Sequence, residues 1–255
     1  MAKRIEDFII KANRRLNNDF FILELAGKNY LPLLKPGQFV QAKVEDNPET
    51  FLRRPLSIHD VDPEKNTIKI LIQVVGKGTQ KLSNLKEGEI LNLIYPLGNS
   101  FSLPAENAHI LLIGGGCGVA PLLFLGKYLK SNGYNPEILL GFRNSDKIIE
   151  YEEYKTIGTV YLTTEDGSKG EKGFVTDHPV LKERRFDHIC CCGPESMMKA
   201  VAGYCLKKDI VCEVSLENLM ACGFGVCLCC VVNTVDGNVC TCTDGPVFNI
   251  KKLKW

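Results

Sequence analysis

The sequence predicts a multi-domain β plus α/β fold. An antiparallel β-barrel is expected over residues 1–103, a doubly wound parallel α/β domain over 104–206, and a small cysteine-rich domain over 207–255. Three observations predict it. The first hundred residues carry short β-branched and aromatic runs split by turn signals, with no helical period among them. From about Pro104, strand-like and helix-like patterns alternate, as they do where helices pack on a parallel sheet. From Lys207 the composition shifts again, and eight of the twelve cysteines fall between positions 205 and 242.

In the first part, strands are expected at residues 21–25, 39–44, 55–61, 67–75 and 90–95, punctuated by Pro36-Gly37, Asp62-Pro63 and residues 86–88. Residues 110–113 then read as a short buried strand. They run through a glycine-rich loop into Pro121-Leu-Leu-Phe-Leu-Gly-Lys-Tyr-Leu-Lys, which has helical apolar spacing. Further strands are expected at 138–142, 160–164 and 188–192, and a helix at 196–206. The cysteine-rich tail is too small to bury a competent core, so a metal staple is physically expected there.

The chain has 255 residues, 24% charged, with a net charge of +1. That balance lacks the basic excess of a nucleic-acid binder. The start, MAKRIEDFIIKANRRL, has no long apolar stretch of a secretory signal. The uncharged run 110–126 is too short and too glycine-broken to span a bilayer. A cytoplasmic protein is therefore expected, with cysteines reduced and available to metal rather than paired in disulfides.

The tail carries the most specific chemistry. It reads CGFGVCLCCVVNTVDGNVCTC, with Cys222-x4-Cys227-x2-Cys230 and a fourth thiol at Cys240 or Cys242. That is the spacing of a plant-type [2Fe–2S] site, in which four thiolates hold two irons. Structural zinc also takes four cysteines, but usually as two separated C-x2-C pairs. Gly223 and Gly225 let the backbone turn N–H groups towards negatively charged sulfur. A one-electron carrier needs a donor and an acceptor, so this tail points to redox work.

Two glycine-bearing turns are candidate phosphate sites. Gly114-Gly-Gly-Cys-Gly-Val-Ala-Pro121 follows a strand and opens a helix, which presents backbone N–H groups to an anion. Val75-Gly-Lys-Gly-Thr79 ends a strand in the β-rich part, offering the Gly78 N–H and the Thr79 hydroxyl. Arg53-Arg54-Pro-Leu-Ser57 adds guanidinium groups suited to bidentate phosphate contacts. His59, His109, His178 and His188 show no ligand spacing and read as structural. Cys190-Cys191-Cys192 reads as a buried strand, with Cys192 at its C-terminal end, where open α/β sheets bind ligands.

The order of these motifs resembles the ferredoxin–NADP⁺ reductase superfamily along essentially the whole chain. It runs Arg54-Pro-Leu-Ser57, Gly78-Thr79, Gly114-Gly-Gly-x-Gly-x-Ala-Pro121, Thr164-Glu-Asp-Gly-Ser168, then Cys192-Gly-Pro194 with Met197. The cysteine pattern ending in Asp244-Gly-Pro-Val-Phe248 is similar to one branch, the electron-transfer subunits of heteromeric, NAD-linked dihydroorotate dehydrogenases. The resemblance implies that Arg54, Pro55, Leu56 and Ser57 hold FAD, although the wider superfamily usually has an aromatic residue at the position of Leu56. Leu71, Ile72 and Gln73 would line the flavin through their strand, and Gly78 and Thr79 would bind its pyrophosphate. Gly114, Gly115, Gly116, Gly118 and Pro121, with Cys192, Gly193 and Pro194, would form the nicotinamide side. Cys222, Cys227, Cys230 and Cys242 would ligate the cluster, with Cys229 and Cys240 as neighbours.

The implied function is electron transfer from an FMN-containing, dihydroorotate-oxidising partner through a [2Fe–2S] cluster and FAD to NAD⁺, in pyrimidine biosynthesis. The implied assembly is a heterotetramer of two subunits of each kind. Flavin suits the role because it exchanges hydride with nicotinamide and single electrons with a cluster. A reductase subunit of a ferredoxin:NADP⁺ or sulfide-linked complex would use the same modules, and a zinc-ribbon interaction module is the non-enzymatic alternative. Glu165 and Asp166 would repel a 2′-phosphate and favour NAD over NADP, while Arg143 points the other way.

Overall fold

The computed structural model describes residues 2–44 and 48–254. Its first sheet has seven antiparallel strands: β1 (Arg4–Arg15), β2 (Phe20–Gly27), β3 (Phe39–Ala42), β4 (Arg54–Ser57), β5 (Asp60–Asp62), β6 (Thr67–Gln73) and β7 (Ile90–Leu97). Their order is β4-β3-β7-β1-β2-β6-β5, and the sheet curls until β4 approaches β6. Strand alternation sends Phe8, Ile10, Phe21, Leu23, Leu25, Ile70, Ile72 and Tyr95 into one enclosed core. Each such side chain contributes about 1.5–3 kcal/mol of burial. The sequence pattern did not anticipate β1, nor the helix α1 (Lys77–Ser83) that follows β6.

The second sheet contains β8 (Ile110–Gly115), β9 (Glu137–Phe142), β10 (Val160–Thr164), β11 (Glu171–Lys172), β12 (His188–Cys192) and β13 (Val211–Ser215). These are parallel. Helix α2 (Ala120–Ser131) buries Leu122, Leu125 and Leu129 on one face, against Leu112, Ile138 and Leu140. Three more helices, α3 (Tyr151–Lys155), α4 (Val180–Glu183) and α5 (Glu195–Lys208), complete the layers. On the other face α5 buries Val201 and Cys205 among Leu111, Ile113 and Ile189. The sheet is therefore doubly wound, and its strand order, β11-β10-β9-β8-β12-β13, reverses direction between β8 and β12.

The cysteine-rich tail forms a hairpin, β14 (Val231–Thr234) and β15 (Gly237–Cys240), a single turn α6 (Thr241–Asp244), and β16 (Val247–Asn249). Strand β16 returns to pair antiparallel with β13. The α/β sheet thus takes in two strands, β13 and β16, that lie beyond the expected 206/207 division. The tail is also pinned to the barrel. Asn99 Nδ2 donates to the Asp244 and Val247 carbonyls at 2.9 Å each, and its Oδ1 accepts from the Val247 N–H at 3.0 Å. No helix among the described residues is long and apolar enough to cross a membrane.

The barrel meets the α/β unit through polar contacts as well as apolar ones. Fully buried His59 donates from Nδ1 to the Ala120 carbonyl at 2.8 Å, and its Nε2 lies 3.5 Å from Glu150 Oε2. Arg14 Nη2 reaches Glu150 Oε1 at 2.8 Å. Burial raises the Glu150 pKa, but hydrogen bonding and charge from His59 and Arg14 outweigh it, leaving the carboxyl below its usual range. A depressed folded-state pKa means this stabilisation is complete above the ordinary carboxylate value and is lost as pH falls through the lower folded value. Glu150→Gln should therefore cost about 1 kcal/mol near neutral pH. The penalty should vanish towards about pH 4 or below, as read from urea midpoints of variant and parent across that range. An unchanged penalty at acid pH would show that the charge is not what holds the seam.

Candidate functional site

The cysteines converge where the tail covers the barrel. Phe39, Ile94 and Leu97, from β3 and β7, pack on Met220, Cys230, Cys240 and Cys242. The loop from Cys222 to Cys227 closes over one side. Gly223 has φ +75° and lies so near Leu97 and Gln41 that an added Cβ would sit 3.2 Å from Leu97 Cδ1. That left-handed conformation lets the loop turn its N–H groups inward. Burial raises the Cys222 thiol pKa, but the N–H groups of Phe224, Cys227 and Val226 and the Cys227 side chain outweigh it, bringing the thiol down to about 6. The Phe224 N–H donates to Cys222 Sγ at 3.3 Å.

Cys230 lies within hydrogen-bonding reach of both Cys240 and Cys242, and Cys222 is close enough to influence both. Their surroundings differ. Burial and the Cys230 thiol push Cys242 up to about 12, while the Gly225 N–H opposes that rise. Cys240 faces the Gly225 carbonyl at 3.9 Å, and the Asp244 carboxylate adds to the rise that burial causes in its pKa. The Gly225 N–H thus faces Cys242, whereas the Gly225 carbonyl and the Asp244 carboxylate lie by Cys240. Cys229 turns away, its Sγ 3.6 Å from the Leu219 carbonyl. The buried Thr241 hydroxyl, between Cys240 and Cys242, has no partner. A soft, four-thiolate group with negative sulfurs fits this donor set. At the opposite end of the α/β strands, His188, Cys190 and Glu213 also approach one another, but Glu213 is held by the Ser102 N–H and hydroxyl at 3.0 Å each.

Arg54, Pro55, Leu56 and Ser57 form half-buried β4 at the barrel edge. The Arg54 guanidinium lies over Gly78, where an added Cβ would stand 2.6 Å from Nε. The structure therefore joins the Arg54 strand to the Gly78 turn. The Thr79 hydroxyl, expected to face a pyrophosphate, is instead spent on its own turn. It accepts from the Val75 N–H at 2.9 Å and donates to the Gly76 carbonyl at 3.1 Å. Phe51, Leu52 and Val75, next to β4 and α1, leave apolar surface exposed. A flat ring system with an anionic tail fits this edge.

Alternation on β6 separates the three residues expected to line the flavin. Leu71 points out of the barrel towards the α/β unit. Ile72 points into the barrel core, so its side chain cannot line a cofactor on the outer surface. Gln73 faces a cleft of about 720 Å³ between the two units.

That cleft stands at the switch point between β8 and β12, where open α/β sheets bind ligands. It is lined by Gly115, Gly116, Gly118, Gly193 and Pro194. Gly114, in β8, lies against Val119 and Leu122, where it provides packing space, and Pro121 is buried in the first turn of α2. At Gly118 an added Cβ would stand 2.4 Å from the Cys192 carbonyl, and Gly193 takes φ +156° against Gly115. Both loops can meet backbone to backbone only because these positions lack side chains. Cys192 itself is fully buried, and burial holds its thiol pKa well up. Buried Thr163 offers the cleft a hydroxyl with no partner. A nucleotide fits these walls. Arg143 and Glu165 both line the cleft, whereas the Asp166 carboxylate is taken by the Ser168 N–H and hydroxyl at 2.9 and 2.6 Å.

Sequence reasoning missed several cleft residues, and two of them carry titratable groups of note. Glu217 lies on the segment after β13 and reaches the cleft, where the surrounding protein raises its pKa although solvent still touches it. Cys117, inside the glycine loop, lines the same cleft, and burial pushes its thiol up to about 12. Cys117 belongs to the glycine loop already singled out, whereas only the folding of the tail against the sheet brings Glu217 there.

Comparison with known proteins agrees with this geometry. Residues 217–254 match the family model described as the iron-sulfur cluster binding domain of dihydroorotate dehydrogenase B. Residues 112–203 match the oxidoreductase NAD-binding domain. The dihydroorotate dehydrogenase B (NAD(+)), electron transfer subunit of Lysinibacillus sphaericus is 38% identical, with 96% of each chain covered. Its counterpart in Clostridium acetobutylicum is 42% identical over 84% of each chain. Among solved structures, a chain of an NADH-dependent reduced ferredoxin-NADP oxidoreductase is 33% identical. It superimposes with a TM-score of 0.88, covering 97% of this chain and 90% of that one. The ferredoxin reductase of carbazole 1,9a-dioxygenase, at 21% identity and a TM-score of 0.69 over 82% of this chain and 67% of its own, shares the fold. At such identity over nearly its whole length, the chain belongs to the family of dihydroorotate dehydrogenase B (NAD⁺) electron transfer subunits.

Proposed function

We propose that this chain takes electrons from a dihydroorotate-oxidising partner subunit and delivers them to NAD⁺ in pyrimidine biosynthesis, using a [2Fe–2S] cluster and FAD. The observation that carries the reading is the placement of the two sites. The converging cysteines lie on one outer face of the barrel, and the nucleotide cleft lies against another. Bound FAD supplies the exchange between hydride and single electrons, and the cluster supplies one-electron carriage. The chain's own residues hold and orient these groups. Cys222, Cys227, Cys230 and Cys242 provide the thiolates, and the loop N–H groups stabilise their charge. Arg54 provides the phosphate contact beside Gly78, with Pro55, Leu56, Ser57, Leu71 and the backbone of β6 supporting FAD. The glycine loops and the Cys192-Gly193-Pro194 turn seat NAD. Residues 1–103, 104–206 and 207–255 serve as the FAD, NAD and cluster regions, with β13 and β16 tying the third to the second.

Leu219, Phe224, Val226 and Leu228 are exposed apolar side chains around the cysteine loop. Such a patch beside a redox group favours docking of a partner there. The partner of this reading is an FMN-containing catalytic subunit, in a cytoplasmic heterotetramer of two subunits of each kind. A second reading is favoured by the 33% identity to the NADH-dependent reduced ferredoxin-NADP oxidoreductase chain: a reductase subunit exchanging electrons with ferredoxin. The purified complex, with its co-purifying subunit identified, should reduce NAD⁺ with dihydroorotate and be slow with reduced ferredoxin. It should also use NAD⁺ with higher kcat/KM than NADP⁺. The reverse donor preference would select the second reading.

Arg54→Ala should weaken FAD retention by about ten- to hundredfold, because a charge-assisted phosphate contact contributes about 1.5–3 kcal/mol. Full flavin occupancy after purification and dilution would reduce Arg54 to a structural partner of Gly78. Cys240→Ser should keep the [2Fe–2S] absorption and iron content, whereas Cys242→Ser should lose them. NADH oxidation by an artificial acceptor should survive both changes. Loss of iron only in Cys240→Ser would shift the fourth ligand two residues upstream.

A further inference from the structure

Gln41 is the least explained side chain near the cysteines. It stands on β3, two residues after Phe39 and therefore on the same outward face, opposite Ile94 of β7. Phe39 and Ile94 both pack on the cysteine cluster. Gln41 is fully buried, yet neither its Nε2 nor its Oε1 has a hydrogen-bond partner. A buried amide without a partner costs free energy that an apolar residue of the same size would not. Its side chain points at the cysteine loop. A Cβ added to Gly223, the residue after Cys222, would stand 3.3 Å from Gln41 Cγ and 3.5 Å from Nε2.

The amide carries two N–H donors, and Phe39 and Ile94, its neighbours on the outward face, pack on the cysteines. Of its two unpartnered atoms Nε2 is the one aimed at the Cys222 loop, so the partner that atom calls for is an acceptor among the cysteines. Thiolate and sulfide sulfur are such acceptors, and hydrogen bonds to them help set a cluster's potential. The main chain of Gln41 also pairs with Pro55 in the Arg54–Ser57 strand. One residue thus connects the flavin-holding strand to the cysteine loop.

Resting on the functional reading above, we propose that Gln41 is a positioning residue whose Nε2 donates a hydrogen bond to a sulfur at the Cys222 side of the iron–sulfur cluster. The bond holds the ligand loop against the barrel and favours the reduced cluster, which carries one more negative charge. Without it the cluster becomes harder to reduce, and electron sharing with the flavin shifts towards the flavin.

The test uses the intact complex and two variants, Gln41→Met, which keeps volume without a donor, and Gln41→Glu, which replaces the amide with a carboxylate. Iron, sulfide and flavin contents and the visible spectrum are measured first, then the midpoint potentials of cluster and flavin by redox titration followed by electron paramagnetic resonance. Gln41→Met should retain the cluster and raise the oxidised-to-reduced ratio about tenfold at fixed poise, or about 59 mV for a one-electron couple. The flavin midpoint should stay in place, and Gln41→Glu should shift the cluster in the same direction or further. An unmoved cluster midpoint, or a shift in the flavin alone, overturns the proposal while leaving the functional reading intact. A parent complex without iron and sulfide overturns both. If the variants do not hold the cluster, the parent labelled with side-chain ¹⁵N glutamine decides. A ¹⁵N hyperfine coupling on the reduced cluster supports the hydrogen bond, and its absence overturns it.

Discussion

Everything in this molecule hangs on four barrel strands, β2, β3, β6 and β7, carrying apolar residues on both faces. Period-two alternation fills the interior with one set of residues and necessarily turns the other set outward. On β2 and β6 that outward set is Phe20, Ile22 and Leu71, which merge with the core of the α/β unit. On β3 and β7 it is Phe39, Ile94 and Leu97, which receive the cysteines. The α/β unit and the cysteine loop are thereby both seated on the barrel, while Phe248 and Ile250 also tie the tail into the α/β core. Electron transfer between fixed groups requires that seating more than it requires any single catalytic side chain.

The polar contacts define register where apolar packing would permit sliding. His59 and Arg14 meet Glu150 at one seam, and Lys127 meets Asp60 at 2.7 Å beside them. At the other seam Asn99 closes three hydrogen bonds on the segment that follows Cys242. Because Asn99 immediately follows the barrel's last strand and its Gly98 turn, the cysteine region is positioned by the barrel itself rather than by a flexible tether.

Motif order and hydrophobic period made the architecture legible, and the cysteine spacing, the glycine loops and the Arg54 run marked segments that the fold brings together. What stayed hidden has specific causes. Strand β1 buries only Phe8 and Ile10 completely and leaves Ile5 and Ile9 exposed, so its charged sequence shows no clean alternation. Helix α1 opens on Gly76-Lys77-Gly78, residues that read as a turn, and is held by the Thr79 hydroxyl and one buried apolar side chain, Leu82. Alternation on β6 keeps the Ile72 side chain in the barrel core, so any part it takes at the outer surface is through its backbone. Strands β13 and β16 fell outside the expected sheet because they flank the cysteines, whose density drew a boundary that backbone pairing ignores. Gln41 and Glu217 belong to no spacing at all; each becomes meaningful only when distant segments meet.

The return of β16 to the open side of β13 has a consequence for how the chain is made. The ribosome completes the barrel and most of the parallel sheet long before residues 247–249 emerge. Until then, the β13 margin offers unpaired backbone groups, and the Phe39–Leu97 surface is bare. Both are the kinds of surface by which nascent chains associate wrongly. Emergence of the tail covers both at nearly the same moment. Closure of the sheet and assembly of the cysteine site therefore follow formation of the barrel together, and until both occur the molecule keeps an adhesive flank.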